Sequence, residues 1–215
     1  MAWFLAPIYD RLVAPAEEAS FGPWRRELLG GLSGTVLEIG SGTGVNVEAY
    51  RATVGHVTFT EPDPGMRRQL EAKLGRARAA GRFGPAGSDV RTDSADALTL
   101  PDDSVDHVVA TLVLCTVPDP DAALAEAHRV LRPGGRLVFL EHVAAHHRPD
   151  RLKWQQRLDP AWKRVAGGCR LTRDTRSTIE RAGFTIERCE RESARKASAL
   201  VRTTIRGTAV ADPTP

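Results

Sequence analysis

The sequence predicts an α/β protein with a mostly parallel sheet and helices on both of its faces. One observation is an alternation from Thr35 to about Gly183, in which short apolar runs are each followed by a helical pattern. Such alternation is typical of βαβ units, whose strands lie parallel. The other is a glycine-rich turn directly after the first apolar run. With 215 residues, of which 41% are hydrophobic, we expect one domain spanning residues 1–215.

The core strands are predicted from apolar runs at residues 36–39, 57–60, 107–112, 136–140 and 184–188, with a last strand near 200–210. A helix is predicted at 120–132, since Asp119 can cap its first turn and Pro120 suits the first helical position. Pro133-Gly134-Gly135 should end this helix, because proline cannot continue it and glycine accepts positive φ. Further helices are predicted at 45–51 and 173–182.

Two segments lie outside this alternation. Residues 1–34 are predicted to form a helical lid segment with pieces at 7–13 and 24–32, separated by a break at Gly22-Pro23. Residues 35–210 form the predicted core, which carries an insert at residues 148–172 after its fourth strand. Additions to such a core typically carry function, so we expect both segments to cover the functional site.

Cysteine usage, charge and apolar run length exclude several classes of function. Cys115, Cys169 and Cys189 are widely spaced and form no C-x-x-C pair, which argues against a disulfide framework and against a zinc site. The net charge is +3, but few aromatic residues lie among the later arginines, so no nucleic-acid partner is expected. No apolar run approaches roughly 20 residues. Without a signal-like start, we expect no stable membrane anchor and a cytoplasmic location.

Residues after two predicted strands indicate a nucleoside-containing ligand. Glu38 precedes Gly40, Gly42 and Gly44, and glycines there let the backbone approach a ligand closely. A dinucleotide fingerprint would need glycine where Val45 stands, so dinucleotide binding is disfavoured. Glu61 ends the second strand, where its carboxylate can accept hydrogen bonds from both hydroxyls of a ribose.

This pattern resembles motif I of the class I S-adenosylmethionine (SAM)-dependent methyltransferases, with an acidic residue two places before G-x-G-x-G. Residues 94–97, Ser-Ala-Asp-Ala, are similar to the adenine-binding turn of that family. The resemblance, which extends from residue 35 to about 183, implies a Rossmann-like fold with SAM as cofactor and S-adenosylhomocysteine as product. It also implies that Asp96 accepts a hydrogen bond from the adenine amino group and that the Ala97 amide faces the ring. The expected cofactor-binding residues are Tyr9, Glu38, Gly40, Ser41, Gly42, Gly44, Glu61, Pro62, Met66, Asp96, Ala97, Thr111 and Leu112.

A closer resemblance involves the later strand ends and the insert. The segments that carry it are Thr-Leu-Val-Leu-Cys-Thr-Val at 111–117, Arg-Val-Leu-Arg-Pro-Gly-Gly at 129–135, Leu-Glu-His-Val-Ala-Ala at 140–145, Trp-Gln-Gln at 154–156, Leu-Asp-Pro-Ala-Trp at 158–162, Gly-Cys at 168–169 and Leu-Thr-Arg at 171–173. They are similar to the methyltransferase-like family that includes the animal microsomal alkyl-thiol methyltransferases. Those proteins carry an N-terminal membrane anchor, and nothing comparable precedes Trp3, so their location is not carried over.

The resemblance implies a small-molecule methyl acceptor and favours a hydrophobic or natural-product thiol. A thiol needs little acid-base help, because part of it is ionised near neutral pH and in-line transfer mainly requires alignment. The alternatives are an N-, O- or C-methyltransferase of a quinone, lipid or other metabolite, and a non-catalytic SAM-binding protein, since fold does not fix function. No oligomeric state is predicted.

The candidate catalytic residues lie at the end of the fourth core strand and in the insert. His142 is the predicted proton acceptor because its pKa lies near the operating pH, with Asp159 next and Glu141 as a further candidate. Leu114, Cys115, Trp154 and Trp162 are the expected substrate contacts. No metal is predicted, because the stretch around Glu141, His142, His146 and His147 lacks the clustered acidic ligands of catechol-type methyltransferases.

Overall fold

The computed structural model describes residues 13–212, which form one seven-stranded sheet with helices on both faces. In chain order the strands are β1 Gly34–Ile39, β2 Val54–Thr60, β3 Gly87–Arg91, β4 Val105–Thr111, β5 Leu131–His142, β6 Phe184–Ser193 and β7 Thr203–Ala211. Their spatial order is β3-β2-β1-β4-β5-β7-β6. The five strands from β1 to β5 are mutually parallel, while β7 runs antiparallel between β5 and β6. The predicted fold class is therefore confirmed.

The core lies on both faces of the sheet because successive side chains of a strand point to opposite sides. Leu37 and Val108 belong to one buried cluster, and their neighbours Val36 and Val109 belong to the other. Strands that are buried on both faces read as continuous apolar runs, which is why β1 and β4 were visible in the sequence.

The helices that complete the described fold are α1 Gly22–Leu29, α2 Pro64–Ala79, α3 Pro120–Val130, α4 Pro149–Val165 and α5 Thr175–Arg181. The predicted break at Gly22-Pro23 is wrong. Residues 13–16 are helical and lead through a π-helix, Glu17–Phe21, directly into α1. The Gly22 amide bonds to the Glu17 carbonyl, and Pro23 then falls in the first turn of α1, where its missing N–H is tolerated. The predicted piece at 7–13 lies almost wholly outside the described residues.

Two elements between β1 and β4 differ from the sequence prediction. The segment after the glycine turn, predicted as a helix at 45–51, is a series of turns in which the Val47 amide bonds to the Gly44 carbonyl. The edge strand β3 was not predicted, because its residues, Gly-Ser-Asp-Val-Arg, are half-buried and form no apolar run. An edge strand is covered less than a central one, so its sequence carries a weaker signal.

The start of β5 also corrects the sequence prediction. Strand pairing begins at Leu131 opposite Val105, ahead of Pro133-Gly134-Gly135, and the register then shifts so that Arg136 pairs with His107. Gly134 has a φ of +77°, which glycine adopts without strain. The three residues therefore form a bulge within the strand, while α3 has already ended at Val130.

The insert forms one long helix, α4, and the turns that follow it. Gln155 and Asp159 are its buried residues. The Gln155 side chain accepts a hydrogen bond from the Ala145 amide at 2.8 Å and donates to the carbonyls of Val143 and Leu200. These bonds fix α4 beside the carboxyl end of β5. Among residues 13–212, no helix combines the length and the apolar character that crossing a bilayer requires.

Candidate active site

The predicted site residues gather at the carboxyl ends of the parallel strands, the edge at which open α/β sheets bind ligands. The glycine turn follows β1, Glu61 follows β2, and residues 112–115 follow β4. His142 is the last residue of β5. Because β4 lies between β1 and β5, these loops meet over the centre of the sheet.

Glu61 ties the end of β2 to the glycine turn. One carboxylate oxygen accepts from the Gly42 amide and the other from the Asp63 amide, each at 2.8 Å. Burial raises the pKa of Glu61, although these two amides and Arg67 partly offset the rise. A carboxylate has room for about four hydrogen bonds, so Glu61 keeps acceptor capacity for the hydroxyls of a ribose.

The glycine turn needs glycine for two different reasons. Gly40 has a φ of +57°, and a Cβ added there would lie 2.2 Å from a methyl carbon of Val113. At Gly42 the nearest atom to an added Cβ, apart from those of its chain neighbours, is the sulfur of Met66 at 3.9 Å. The space beside Gly42 and Met66 therefore suits a bound nucleoside, and a side chain at position 42 would fill it.

A buried polar network lies beneath this turn and includes three residues that sequence reasoning missed, Arg25, Asn46 and Tyr50. Glu38, expected to contact the cofactor, accepts a short hydrogen bond from the Tyr50 hydroxyl and is only 1% exposed. Arg25 donates to Asn46 at 2.9 Å and to Thr111 at 2.6 Å. No motif marked Arg25 or Asn46, because their pairing depends on α1 packing against the strand ends.

The pKa of Glu38 agrees with a role in supporting the glycine turn from beneath. Burial raises the pKa of Glu38 to about 7, while the Tyr50 hydroxyl, Asn46 and the charge of Arg25 act in the opposite direction. Thr111, another expected cofactor contact, also accepts from Asn46 at 3.0 Å. In this arrangement the hydrogen bonds of Glu38 and Thr111 hold the strand ends from below.

The predicted adenine turn is present, with one difference. Asp96 is exposed, so its carboxylate is available to a ligand. The Ala97 amide, expected to face the adenine ring, donates to the Ser94 carbonyl at 3.1 Å within the turn. Ser41 and Pro62, two other expected contacts, are buried and exposed, respectively. Tyr9 lies outside the described residues.

A second carboxylate, that of Glu141, differs from Glu61 in its surroundings and holds the loop after β4. Glu141 is fully buried and accepts hydrogen bonds from the amides of Val113, Leu114 and Cys115 at 3.0, 2.9 and 3.1 Å. Burial raises the pKa of Glu141, and the three amides partly offset the rise. With both oxygens occupied, Glu141 positions this loop.

The start of that loop has an unusual backbone. Leu112 has a φ of +59°, and its amide donates to the Leu140 carbonyl at 2.7 Å. The Leu114 side chain, expected to touch substrate, is fully buried in the core cluster. Cys115, the other expected contact in this loop, is 2% exposed.

His142 and Asp159 both contact the turn after α4. The Nε2 of His142 donates to the Arg170 carbonyl at 2.9 Å, which leaves Nδ1 as the unprotonated nitrogen of the neutral ring. Asp159 accepts from the Leu171 amide at 2.6 Å and lies 3.5 Å from the Arg170 guanidinium. Asp159 therefore positions residues 170–171, while the His142 ring places Nε2 at 3.6 Å and Nδ1 at 3.9 Å from the Cys169 sulfur.

The two tryptophans of α4 have different surroundings. The indole N–H of Trp162 donates to the Cys169 sulfur at 3.3 Å. Trp154 is 56% exposed, and Arg157 lies over its ring at 5.7 Å. Of the two expected substrate contacts, Trp162 is the one that reaches the strand ends.

The fold also corrects the argument about cysteines. Cys115, His142 and Cys169, which are far apart in the sequence, place one sulfur or nitrogen atom each within 4.8 Å of one another. Their spacing along the chain did not indicate that the fold brings them together. Cys189, on β6, is separate from this group.

Comparisons with known proteins identify the chemistry of this site. A family model described as a methyltransferase domain matches residues 37–139. The human thiol S-methyltransferase TMT1B is 38% identical over 197 residues, which cover 86% of this chain and 78% of that protein. A phosphatidylethanolamine N-methyltransferase from Cereibacter sphaeroides is 30% identical over 118 residues, 54% of each chain.

The structural likeness extends further than the family model. The N-methyltransferase NodS from Bradyrhizobium japonicum superimposes with a TM-score of 0.64 at 18% identity, over 92% of this chain and 97% of NodS. At that identity the likeness shows the fold alone. The expectation of SAM as cofactor is confirmed. Given the identity to TMT1B over most of both chains, this chain belongs to the family of SAM-dependent methyltransferases that includes the thiol S-methyltransferases.

Proposed function

We propose that this methyltransferase acts on the sulfur of a small-molecule thiol by direct in-line transfer. The observation that carries the proposal is the 38% identity to a thiol S-methyltransferase over 86% of the chain. That span is nearly twice the part matched by the general methyltransferase model, which ends at residue 139. It therefore includes residues near the acceptor side that the general model leaves out.

Binding of the donor is assigned to the loops after β1, β2 and β3. Glu61 accepts the ribose hydroxyls, Asp96 accepts the adenine amino group, and the open space at Gly42 admits the nucleoside. SAM supplies an electrophilic methyl group on a sulfonium. The residues of this chain have only to align an acceptor sulfur with that group and exclude water from it.

The acceptor side fits a nucleophile that needs little general-base help. Glu141 accepts hydrogen bonds from three amides, and Asp159 accepts one while facing Arg170, so both carboxylates are engaged in holding the backbone. An aliphatic alcohol would need a stronger base than this arrangement offers, whereas a thiol ionises near neutral pH. The soft, buried surroundings of Cys115 and Trp162 are compatible with a hydrophobic thiol.

The test is a methyl-transfer assay with isotopically labelled SAM and a panel of thiols, phenols, amines and quinones. We expect label in thioether products from the thiols. A Glu61→Ala variant serves as the control, because its weaker donor binding should lower transfer at a limiting concentration of SAM.

Label on a quinone, amine or lipid headgroup in place of the thiols would contradict the proposal and favour the N-, O- or C-methyltransferase alternative, for which the Cereibacter relative provides a precedent. Tight donor binding without transfer to any member of the panel would favour a non-catalytic SAM-binding protein.

A further inference from the structure

The group formed by Cys115, His142 and Cys169 combines the ligand types that bind thiophilic metals. Cys115 lies in the loop after β4, His142 ends β5, and Cys169 lies in the turn after α4. Cys115 and His142 are 2% and 3% exposed, and Cys169 is half-buried. Two thiolates and an imidazole are a known ligand set of zinc sites in which a fourth position stays open.

The distances are close to those that zinc requires. Bond lengths of roughly 2.3 Å to sulfur and 2.0 Å to nitrogen place the ligand atoms of a tetrahedral zinc roughly 3.6 to 3.8 Å apart. The Cys169 sulfur lies 3.9 Å from Nδ1 and 3.6 Å from Nε2 of His142, and the two sulfurs and one ring nitrogen lie within 4.8 Å of one another. Small rotations of the side chains suffice to close the site around an ion.

The surrounding hydrogen bonds already orient the ligands. Nε2 of His142 donates to the Arg170 carbonyl, which leaves Nδ1 unprotonated and able to bind a cation. Trp162 donates to the Cys169 sulfur, and such a bond favours the thiolate form of a ligand. Metal-bound histidines in proteins usually carry a second partner of this kind on the other nitrogen.

The backbone around the cysteines is fixed in the same way. Glu141 accepts from the Cys115 amide, and the Arg170 amide donates to the Cys115 carbonyl at 2.8 Å. The second bond links the loop after β4 to the turn that carries Cys169. The two sulfurs are therefore held together by main-chain contacts that do not depend on the sulfur atoms.

Two cysteine thiols and one imidazole make this a ligand set that carries no charge of its own until it binds a cation. A divalent cation would displace both thiol protons, and two thiolates would balance its charge. Burial of an uncompensated charge is thereby avoided.

We propose that Cys115, His142 and Cys169 bind one Zn²⁺ ion and leave its fourth position open to the thiol acceptor. The role of the open position rests on the proposed function, while the metal site does not. This assignment replaces the proton-acceptor role expected for His142, because the same Nδ1 lone pair would bind the metal. It differs from the acidic magnesium site that the sequence argued against.

The acceptor thiol loses its proton to solvent when its sulfur coordinates the ion. A sulfur electron pair then forms the bond to the methyl carbon while the bond between that carbon and the SAM sulfonium breaks, its electrons remaining on S-adenosylhomocysteine. The thioether product is neutral and a weaker ligand than a thiolate, so it leaves the ion.

The first experiment measures metal binding by the full chain without reference to activity. The reduced, chelator-treated protein is titrated with Zn²⁺ by calorimetry and with Co²⁺ by absorption. We expect one equivalent of each to bind, with thiolate-to-cobalt charge-transfer bands and the visible bands of tetrahedral cobalt. Reduced, folded protein that gives none of these signals would overturn the proposal.

Four variants locate the site. Cys115→Ser, Cys169→Ser and His142→Gln should each weaken cobalt binding by more than about 100-fold, and Trp162→Phe by about tenfold, because outer-shell partners contribute less than ligands. Cys189→Ser is the matched control and should bind like the parent. If a ligand variant fails to fold, as judged by circular dichroism, Trp162→Phe and the remaining ligand variants still decide the question. Equal binding by the parent and a folded ligand variant would place the metal elsewhere.

A second measurement separates the site from the proposed function. Adding a small alkyl thiol should shift the visible cobalt bands, since the thiol enters the open position, whereas an alcohol of the same size should not. Unchanged bands, or full thiol methylation by metal-free protein, would overturn the role of the open position. Metal binding with a thiol-dependent shift but no methyl transfer would leave the site intact and contradict the proposed function.

Discussion

Two buried glutamates at the same edge of the sheet show how similar positions acquire different roles. Glu61, after β2, accepts two backbone amides and keeps acceptor capacity for a ligand. Glu141, near the end of β5, accepts three amides and is fully buried. The cofactor half of the site, after β1 to β3, thus keeps a polar group for binding. The acceptor half, after β4 and β5, uses its glutamate to hold a loop.

An acidic residue at a strand end therefore indicates where a site lies, but the role of that residue in the site is not fixed by its position. The role depends on how many neighbouring amides point at the carboxylate, and that number is set by the loop of an adjacent strand. For Glu141 this loop belongs to β4, 26 to 28 residues away in the sequence. Four predictions test the distinction, in order of decreasing effect.

The largest effect is expected from Glu141→Ala. Three buried amides would lose their acceptor, and each unmade buried hydrogen bond costs about 1 to 3 kcal/mol. The free energy of unfolding, measured with urea, should therefore fall by about 3 kcal/mol or more. The matched control is Glu71→Ala at an exposed position of α2, expected to stay within about 0.5 kcal/mol of the parent. A Glu141 variant as stable as that control would remove the contrast between the two halves.

The second effect concerns the pH dependence of stability through Glu38. Its pKa is raised from 4.5 to about 7, chiefly by burial, so the folded state holds this proton more tightly than the unfolded state does. The resulting stabilisation is complete below the unfolded pKa and is lost as pH rises through about 7. Between these limits the parent should lose about 3 kcal/mol relative to Glu38→Gln. Parallel stability curves for the two proteins would show that Glu38 is ionised in both states.

The third effect is a loss of SAM affinity, which for Glu61→Ala comes in addition to the stability lost with its two amide hydrogen bonds. Glu61→Ala and Asp96→Ala each remove charge-assisted hydrogen bonds to SAM worth about 1.5 to 3 kcal/mol, so calorimetry should show affinities lowered roughly tenfold to a hundredfold. The Glu141→Ala variant should show the opposite pattern, with its main effect on the free energy of unfolding and not on SAM affinity. If either cofactor-half variant binds SAM like the parent, the assignment of that residue to the ribose or the adenine is wrong.

The smallest effect separates the two tryptophans of α4. Trp162→Ala removes the indole N–H beside Cys169 and should lower turnover of a verified acceptor by about tenfold, while SAM affinity stays within severalfold. Trp154, which is 56% exposed, is the internal control, and Trp154→Ala should change turnover by about twofold at most. Similar kinetics for both variants would mean that α4 does not bound the acceptor site.

Much of the cofactor half could be predicted from the sequence, because it depends on local signals. The glycine turn directly follows an apolar strand, and Glu61 directly follows the next, so each residue and its structural context lie within a few positions of one another. The strand β3 was the exception, since a half-buried edge strand has no apolar run to mark it. The Ala97 amide, which the family resemblance placed against the adenine ring, donates a hydrogen bond within its own turn. A resemblance therefore does not fix the role of a single amide.

The sequence alone was therefore enough to predict the fold class, the cofactor and four of the five parallel strands. Only the tertiary structure decided which residues come into contact in the acceptor half. Arg25 reaches Thr111 across 86 residues, and Cys169 meets His142 across 27. Such contacts follow from how α1 and α4 pack on the sheet, and packing is specified by the shape and burial of many residues at once. Periodicity and motif spacing record only what lies close along the chain, so they could identify these side chains but could not bring them together.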